Sequence, residues 1–189
     1  MSTYVSTQSS ADQTLQYMMR QYCDLWSSPI SPDMAKLREV LTQLSDEQKL
    51  HILQQRYPRC WTPLHWAAWR GHSELLSTLL LSLRSSAERL KLLMVHKWTP
   101  LHVAALYGHT ESVKKILDCL TADQQIQIMT AQSGVGMTAI QGAEIRHHTD
   151  TVRVMREYQQ RAENLMREKY SKVITYNLHI SPCVGLGNI

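Results

Sequence analysis

WTPLHWAAWRGH at residues 61–72 and WTPLHVAALYGH at residues 98–109 are two copies of one sequence pattern. A third segment, MTAIQGAEIRHH at residues 137–148, is degraded but stays in the same register. The threonine in the second place of each segment recurs after 37 and then 39 residues. Self-similarity at such a period is the signature of a repeat architecture, so we expect an array of short structural units.

Each position of the pattern has a physical role in a helix–turn–helix unit. Thr62 and Thr99 can accept a hydrogen bond at a helix N-terminus, and the proline after each threonine suits the first helical position. Gly71 and Gly108 stand where that helix ends, in a left-handed conformation that glycine adopts without penalty. An apolar stretch with helical spacing follows each turn, which predicts a second helix.

The string TPLHxAAxxGH resembles the ankyrin repeat, whose signature is T-P-L-H-x-A. The resemblance covers roughly residues 57–160. It implies an all-α, ankyrin-type solenoid in which His65 and His102 tie each turn to its neighbour by hydrogen bonds rather than act in catalysis. In the third copy His147 replaces the turn glycine, which predicts a strained turn and is typical of a terminal, capping repeat.

The period exceeds the 33 residues of the ankyrin family because an additional segment precedes each copy of the pattern. These segments begin at residues 44, 84 and 120, and each has a Ser or Thr followed by an acidic residue and apolar positions. A capping residue before such a pattern predicts a helix. We therefore expect a short extra helix in each connection between repeats.

The repeat pattern also predicts the domain organisation. After His148 we expect one long helix from Thr149, with an inward stripe of Val152, Met155, Ala162 and Leu165. The predicted segments are a disordered N-terminal segment at 1–13, an N-terminal helical cap or divergent repeat at 14–55, ankyrin-like repeats at 56–94, 95–130 and 131–170, and a tail at 171–189.

Composition and motifs weigh against several function classes. With 20 Lys+Arg and 16 Asp+Glu the net charge is +4, which is short of a nucleic-acid-binding arm. The sequence has no run of 18 apolar residues, the length that a transmembrane helix needs. The N-terminus lacks the apolar core of a signal peptide. No phosphate loop, nucleophile elbow or zinc-protease motif occurs, so we expect no catalytic residues, no metal and no cofactor.

The cysteines indicate the cellular compartment. Cys23, Cys60, Cys119 and Cys183 are far apart in the sequence, which argues against a zinc or redox motif. Without a secretory signal, reduced thiols in an intracellular and cytoplasmic chain are the better interpretation.

Large side chains fill the variable positions of the repeats. The resemblance places these positions on the concave, partner-facing side of an ankyrin array. Aromatic and arginine side chains on a rigid surface are the usual composition of binding hot spots. Trp66, beside the alanine pair, is as compatible with the core as with this surface. The predicted partner-binding residues are Arg59, Trp61, Trp69, Arg70, His96, Trp98, Leu106, Tyr107, Ile145 and Arg146.

The predicted function is a non-enzymatic protein–protein interaction module, an adaptor or scaffold, that binds a protein rather than a small-molecule substrate. Two alternatives stay open. Residues 51–143 hold nine basic and five acidic side chains, and a nucleic-acid or anionic-surface binder, although less expected, would use this excess. An enzyme would need an unrecognised site outside the repeat pattern, most plausibly at the chain ends.

Overall fold

Helices make up nearly all of the regular structure of this protein. The computed structural model describes residues 10–24, 33–57 and 61–179, and within them the one β-type pairing is a bridge between Tyr57 and Trp61. The all-α fold predicted from the repeat pattern is confirmed. The helices are α1 (Ser10–Asp24), α2 (Met34–Gln43), α3 (Asp46–Leu53), α4 (Pro63–Arg70), α5 (Ser73–Leu81), α6 (Ser86–Leu93), α7 (Pro100–Leu106), α8 (Thr110–Asp118), α9 (Ala122–Thr130), α10 (Ala139–Ile145) and α11 (Thr149–His179).

The first helix of each repeat begins at the predicted threonine. Thr99 is the N-cap of α7, and its Oγ1 accepts a hydrogen bond from the backbone N–H of His102 at 3.3 Å. Pro100 takes the first helical position, where a backbone N–H would have no partner within the helix. Thr62 and Thr138 occupy the same place before α4 and α10. The local sequence therefore sets the starting point of all three helices.

The turn after each of these helices is left-handed. Gly71 and Gly108 have φ of 70° and 71°, and His147 has φ of 58°, which confirms the strained turn predicted for the third repeat. A Cβ atom on Gly108 would lie 2.5 Å from Nδ1 of His148, and one on Gly71 would lie 2.7 Å from Nδ1 of His109. Glycine is therefore needed at each of these positions for two reasons. The backbone is left-handed, and a Cβ atom would collide with the histidine of the next repeat.

The helices stack in three rows. The inner row is α1, α4, α7 and α10, the outer row is α2, α5, α8 and α11, and the third row consists of the connecting helices α3, α6 and α9. Two adjacent alanines in α4 and two in α7 are fully buried, and such small side chains allow neighbouring inner helices to approach closely. The core between the rows is formed by four buried leucines of α5, Leu75, Leu76, Leu79 and Leu80, and by Val113, Ile116 and Leu117 of α8.

The connecting helices confirm the extra helix predicted in each connection. The fourth residue of α3, Lys49, is buried, and its Nζ donates to the carbonyl of Ser82 at 2.9 Å. In α6, Arg89 Nη1 donates to the carbonyl of Cys119 at 3.2 Å. Ser82 and Cys119 are the C-caps of α5 and α8, whose carbonyls lack partners within the helix. Each of these two connecting helices thus caps the outer helix of the following repeat.

The long C-terminal helix differs from its prediction in two respects. It continues to His179, past the boundary placed at residue 170. Met155 and Ala162 are buried as predicted and Val152 packs against the core, but the prediction for Leu165 is wrong because its side chain is 51% exposed. Adjacent helical residues differ by about 100° around the axis, and the half-buried Met166 continues the stripe instead.

The N-terminal helix begins earlier than expected. α1 starts at Ser10, inside the segment predicted to be disordered. Residues 1–9 of that segment lie outside the described residues, as do residues 180–189 of the predicted tail. Leu15 and Met19 are fully buried because α1 packs against α2, α3 and α4. This packing extends the inner row by one helix at its N-terminal end.

Candidate protein-interaction surface

The predicted partner-binding residues lie along one side of the array. We define the inner face as the exposed side of α4, α7 and α10 together with the C-cap residues that end these helices and the described residues of the loops that precede them. Nine of the ten predicted residues belong to it, and Arg59 lies outside the described residues.

An aromatic cluster occupies the N-terminal half of the inner face. The rings of Trp61 and Trp66 are 5.5 Å apart between centroids, as are those of Trp66 and Trp69, and Tyr107 follows at 6.3 Å from Trp69. All three pairs are edge-to-face, the arrangement that aromatic quadrupoles favour. Trp66 is 1% exposed, so its indole belongs to the core and not to the surface.

The other tryptophans are less exposed than a solvent-facing surface would require. Trp61, Trp69 and Trp98 are half-buried and pack against the core. Trp98 also stacks on His102, with centroids 5.6 Å apart and an angle of 26° between the ring planes. These contacts join residues of different repeats or of a loop and the following helix, and they leave only part of each indole for a partner.

Arg70 holds the N-terminal helix in place. Its guanidinium lies 5.1 Å from the ring centroid of Tyr22 and 5.5 Å from that of Trp66, and its Nη1 donates to the Tyr22 carbonyl at 3.1 Å. Burial raises the pKa of Tyr22. Sequence reasoning missed this role because Tyr22 is far from Arg70 in the chain, and no local pattern links them.

The histidine of the TPLH motif connects neighbouring repeats. His65 Nε2 bonds the Trp98 carbonyl at 2.7 Å, and because a carbonyl only accepts, this nitrogen carries the proton. His65 Nδ1 then accepts from the Thr62 N–H at 3.3 Å. Burial lowers the pKa of His65 to about 4, and burial also lowers the pKa of His102, which bonds the Met137 carbonyl at 3.0 Å. Both imidazoles form the hydrogen bonds that the resemblance implied.

The histidine after each turn reaches in the opposite direction. His109 Nε2 bonds the Trp69 carbonyl at 2.9 Å, and His148 Nε2 bonds the Leu106 carbonyl at 3.1 Å. Trp69 and Leu106 lie at the ends of α4 and α7, where carbonyls need partners from outside the helix. α7 is thus fixed at both ends by side chains of adjacent repeats, by His65 at the Trp98 carbonyl and by His148 at the Leu106 carbonyl.

His96 lies in the loop before α7. Its ring centroid is 5.5 Å from that of His65, and burial lowers its pKa. Its Nε2 is buried without a hydrogen-bond partner. The ring packs between loop and helix, and only part of it is open to a partner.

The exposed apolar part of the inner face lies in the second and third repeats. Tyr107 is 48% and Ile145 is 60% exposed, Leu106 is half-buried, and Arg146 is exposed. Sequence reasoning missed Val135, which is 72% exposed. Val135 has the same repeat register as Arg59 and His96, so register alone would have identified it.

The described residues contain neither a metal-binding cluster nor a membrane-spanning helix. No group of three or more His, Cys, Asp or Glu side chains in this part of the chain is arranged to hold a metal ion. None of the helices described has the length and apolar character needed to cross a bilayer. Cys23 and Cys119 are buried thiols, and burial raises the pKa of Cys119.

The comparisons with known proteins agree with this architecture. A family model for ankyrin repeats, in three copies, matches residues 34–128, about half of the chain. The match begins in α2, inside the segment predicted as a cap or divergent repeat, and ends in α9, before the third copy of the sequence pattern. A search of curated protein sequences finds no significant match.

A solved structure is similar in fold. A chain of the crystal structure of the yeast ribosomal protein Rps3 in complex with its chaperone Yar1 superposes with a TM-score of 0.55 at 20% sequence identity. The match covers 76% of this chain and 89% of that chain. The repeat pattern, the helix–turn–helix stacking and the family model together identify the chain as a member of the ankyrin repeat family, a family of protein-interaction modules.

Proposed function

We propose that this chain is a non-enzymatic adaptor or scaffold whose protein partner docks on the inner face. The observation that carries the proposal is the exposure of Tyr107, Ile145 and Val135 on two neighbouring repeats. Exposed apolar side chains that cluster on a folded chain mark interaction sites, and aromatic side chains are enriched at binding hot spots.

The rigidity of the inner face supports the same proposal. Threonine caps the N-termini of α7 and α10, and His109 and His148 hold the C-terminal ends of α4 and α7. A surface that is ordered before binding loses little conformational entropy when a partner docks. In this proposal Tyr107, Ile145 and Arg146 make the principal contacts, while Trp61, Trp69 and Trp98 order the surface and contact the partner with their exposed edges.

The test compares an inner-face variant with a matched outer variant. Tyr107→Asp/Ile145→Asp places two charges in the proposed site. Leu81→Asp places a charge at an apolar side chain that is 58% exposed on the outer helix α5. All three forms of the chain are used as bait in a pull-down, after far-ultraviolet circular dichroism and thermal unfolding have shown that each is folded.

The proposal predicts proteins that the unaltered chain and Leu81→Asp both retain and that the inner-face variant loses. Retention by all three baits would refute the inner face as the docking site. Loss with Leu81→Asp alone would move the site to the outer helices.

A further inference from the structure

Charge is distributed unevenly between the inner face and the rest of the array. In the described parts of α4, α7, α10, their turns and their preceding loops, the basic residues are Arg56, Arg70, Lys97 and Arg146. The same stretches contain one acidic residue, Glu144. Its carboxylate is engaged by Arg156 of α11 at 2.6 Å, at the C-terminal end of the array. The inner face is therefore basic, with no acidic group available to offset it there.

The outer and connecting helices have a different pattern. Acidic and basic side chains are interleaved on them, and several form ion pairs: Arg38 with Glu74 at 2.7 Å, Arg153 with Glu157 at 3.1 Å, and Lys169 with Asp123 at 3.2 Å. By contrast, Arg56, Lys97 and Arg146 on the inner face are exposed and form no ion pair with any described residue. The uncompensated positive charge of the described array is thus concentrated on the side where the apolar side chains are exposed.

Cationic and apolar groups alternate across the repeats. Arg146 occupies the same position in its repeat as Tyr107 does in the repeat before. Val135 likewise occupies the position of His96, and Lys97 directly follows His96. Inner helices that pack at the usual 8–10 Å make three repeats about 20 Å wide. An extended chain advances about 3.3 Å per residue, so a segment of roughly six residues crosses the inner face.

We infer that the partner segment that binds the inner face is extended and acidic, with at least one bulky apolar side chain between its carboxylates. The inference rests on the proposed function and adds the chemistry of the partner. Carboxylates complement Lys97 and Arg146, and the apolar side chain covers Tyr107 and Ile145. Nucleic acid fits less well because its binding depends chiefly on the neutralisation of phosphates, and phosphates offer no apolar contact to Ile145 or Val135.

The experiment selects short peptides and then tests their charge. A displayed library of random peptides of about twelve residues, long enough to span the inner face, is panned against the full chain. Selected peptides are synthesised with a fluorescent label, and their affinity is measured by anisotropy at about 0.05 and 0.5 M salt. The charge variant is Lys97→Glu/Arg146→Glu. Its control, Lys115→Glu/Arg167→Glu, makes the same change in net charge at exposed positions of α8 and α11.

The inference predicts peptides with net negative charge and a Trp, Leu or Phe residue. We expect Lys97→Glu/Arg146→Glu to weaken their binding by about tenfold or more, since two attractive pairs become repulsive, and the control to change it less than about threefold. Replacing the acidic residues of the peptide with lysine should restore its binding to the charge variant.

The other outcomes separate the inference from the proposed function. Neutral or basic peptides that are lost with Tyr107→Asp/Ile145→Asp would overturn the acidic partner and leave the inner face as the docking site. Peptides that bind all inner-face variants equally would overturn both. A single-stranded oligonucleotide that binds more tightly than any peptide and is lost with the charge variant would replace the acidic segment with nucleic acid. Failure to enrich any peptide would also overturn the inference.

Discussion

Glycine at the turn should be required for packing as well as for backbone conformation, and two glycines in this chain separate these effects. Gly108 and Gly136 have φ of 71° and 79°, so alanine at either position adopts a left-handed conformation. That conformation costs an L-residue about 1–2 kcal/mol. A Cβ atom on Gly136 would meet nothing within 4 Å, whereas one on Gly108 would lie 2.5 Å from Nδ1 of His148. Gly136→Ala therefore measures the backbone effect alone.

The additional cost at Gly108 follows from what His148 would lose. To avoid the new Cβ atom, the ring must leave a position where its Nε2 bonds the Leu106 carbonyl at 3.1 Å. A lost hydrogen bond that leaves a part-buried carbonyl unpaired costs about 1–3 kcal/mol. We expect Gly108→Ala to lower the free energy of unfolding by about 3–4 kcal/mol and Gly136→Ala by about 1 kcal/mol.

Urea unfolding followed by circular dichroism measures both values, and a double-mutant cycle with His148→Ala tests the cause. Alone, His148→Ala should cost about 1–2 kcal/mol for its hydrogen bond. In the Gly108→Ala background it should cost little or restore stability, because the ring that collides is gone. Equal costs for the two glycine substitutions, or an equal cost of His148→Ala in both backgrounds, would refute the steric argument.

Two further predictions concern histidines. The pKa of His65 is lowered from 6.5 to about 4, so between these pH values the unfolded chain binds a proton more readily than the folded chain. The contribution of neutral His65 to the free energy of unfolding is therefore present above pH 6.5 and is lost as the pH falls towards 4. His65→Gln, which copies the capping of Thr138 N–H by Gln141 Oε1 at 2.9 Å, should remove up to about 3 kcal/mol of that loss. Urea unfolding at several pH values tests this, and an unchanged pH dependence would contradict it. His147→Gly should raise the free energy of unfolding by about 1 kcal/mol, because glycine adopts the φ of 58° without the strain that a Cβ atom causes there. Thermal unfolding measures this effect, and a lower melting temperature would show that the imidazole contributes more than the backbone strain.

The parts of the structure predicted from sequence depend on short-range rules. A threonine cap, a proline at the first helical position and a glycine at the turn act within a few residues, so Thr99, Pro100 and Gly108 locate α7 and its end. The extra connecting helices followed from the same capping rules. The resemblance and the repeat register likewise selected most of the inner face, although Val135 was missed.

The parts that sequence reasoning missed depend on contacts between distant segments. The half-buried Trp69 packs on Tyr107 of the next repeat, and the half-buried Trp61 and Trp98 pack against the core that the stacked helices form. Arg70 contacts Tyr22 of α1, a helix with no recognisable repeat pattern. The exposure of Leu165 depends on where α11 meets α9, and spacing along one helix does not determine that.

The third row of helices has a consequence for how the array unfolds. In a linear array, stability is approximately a sum of terms within repeats and terms between neighbours, and cooperativity grows with the second kind. The bonds from Lys49 to Ser82 and from Arg89 to Cys119 add polar links between neighbouring units, beyond the contacts of the inner and outer rows. Stronger coupling raises the free energy of a boundary between folded and unfolded repeats. Partly unfolded species with frayed ends should therefore be rarer in this array than in one with the usual 33-residue repeat, and the units should unfold together.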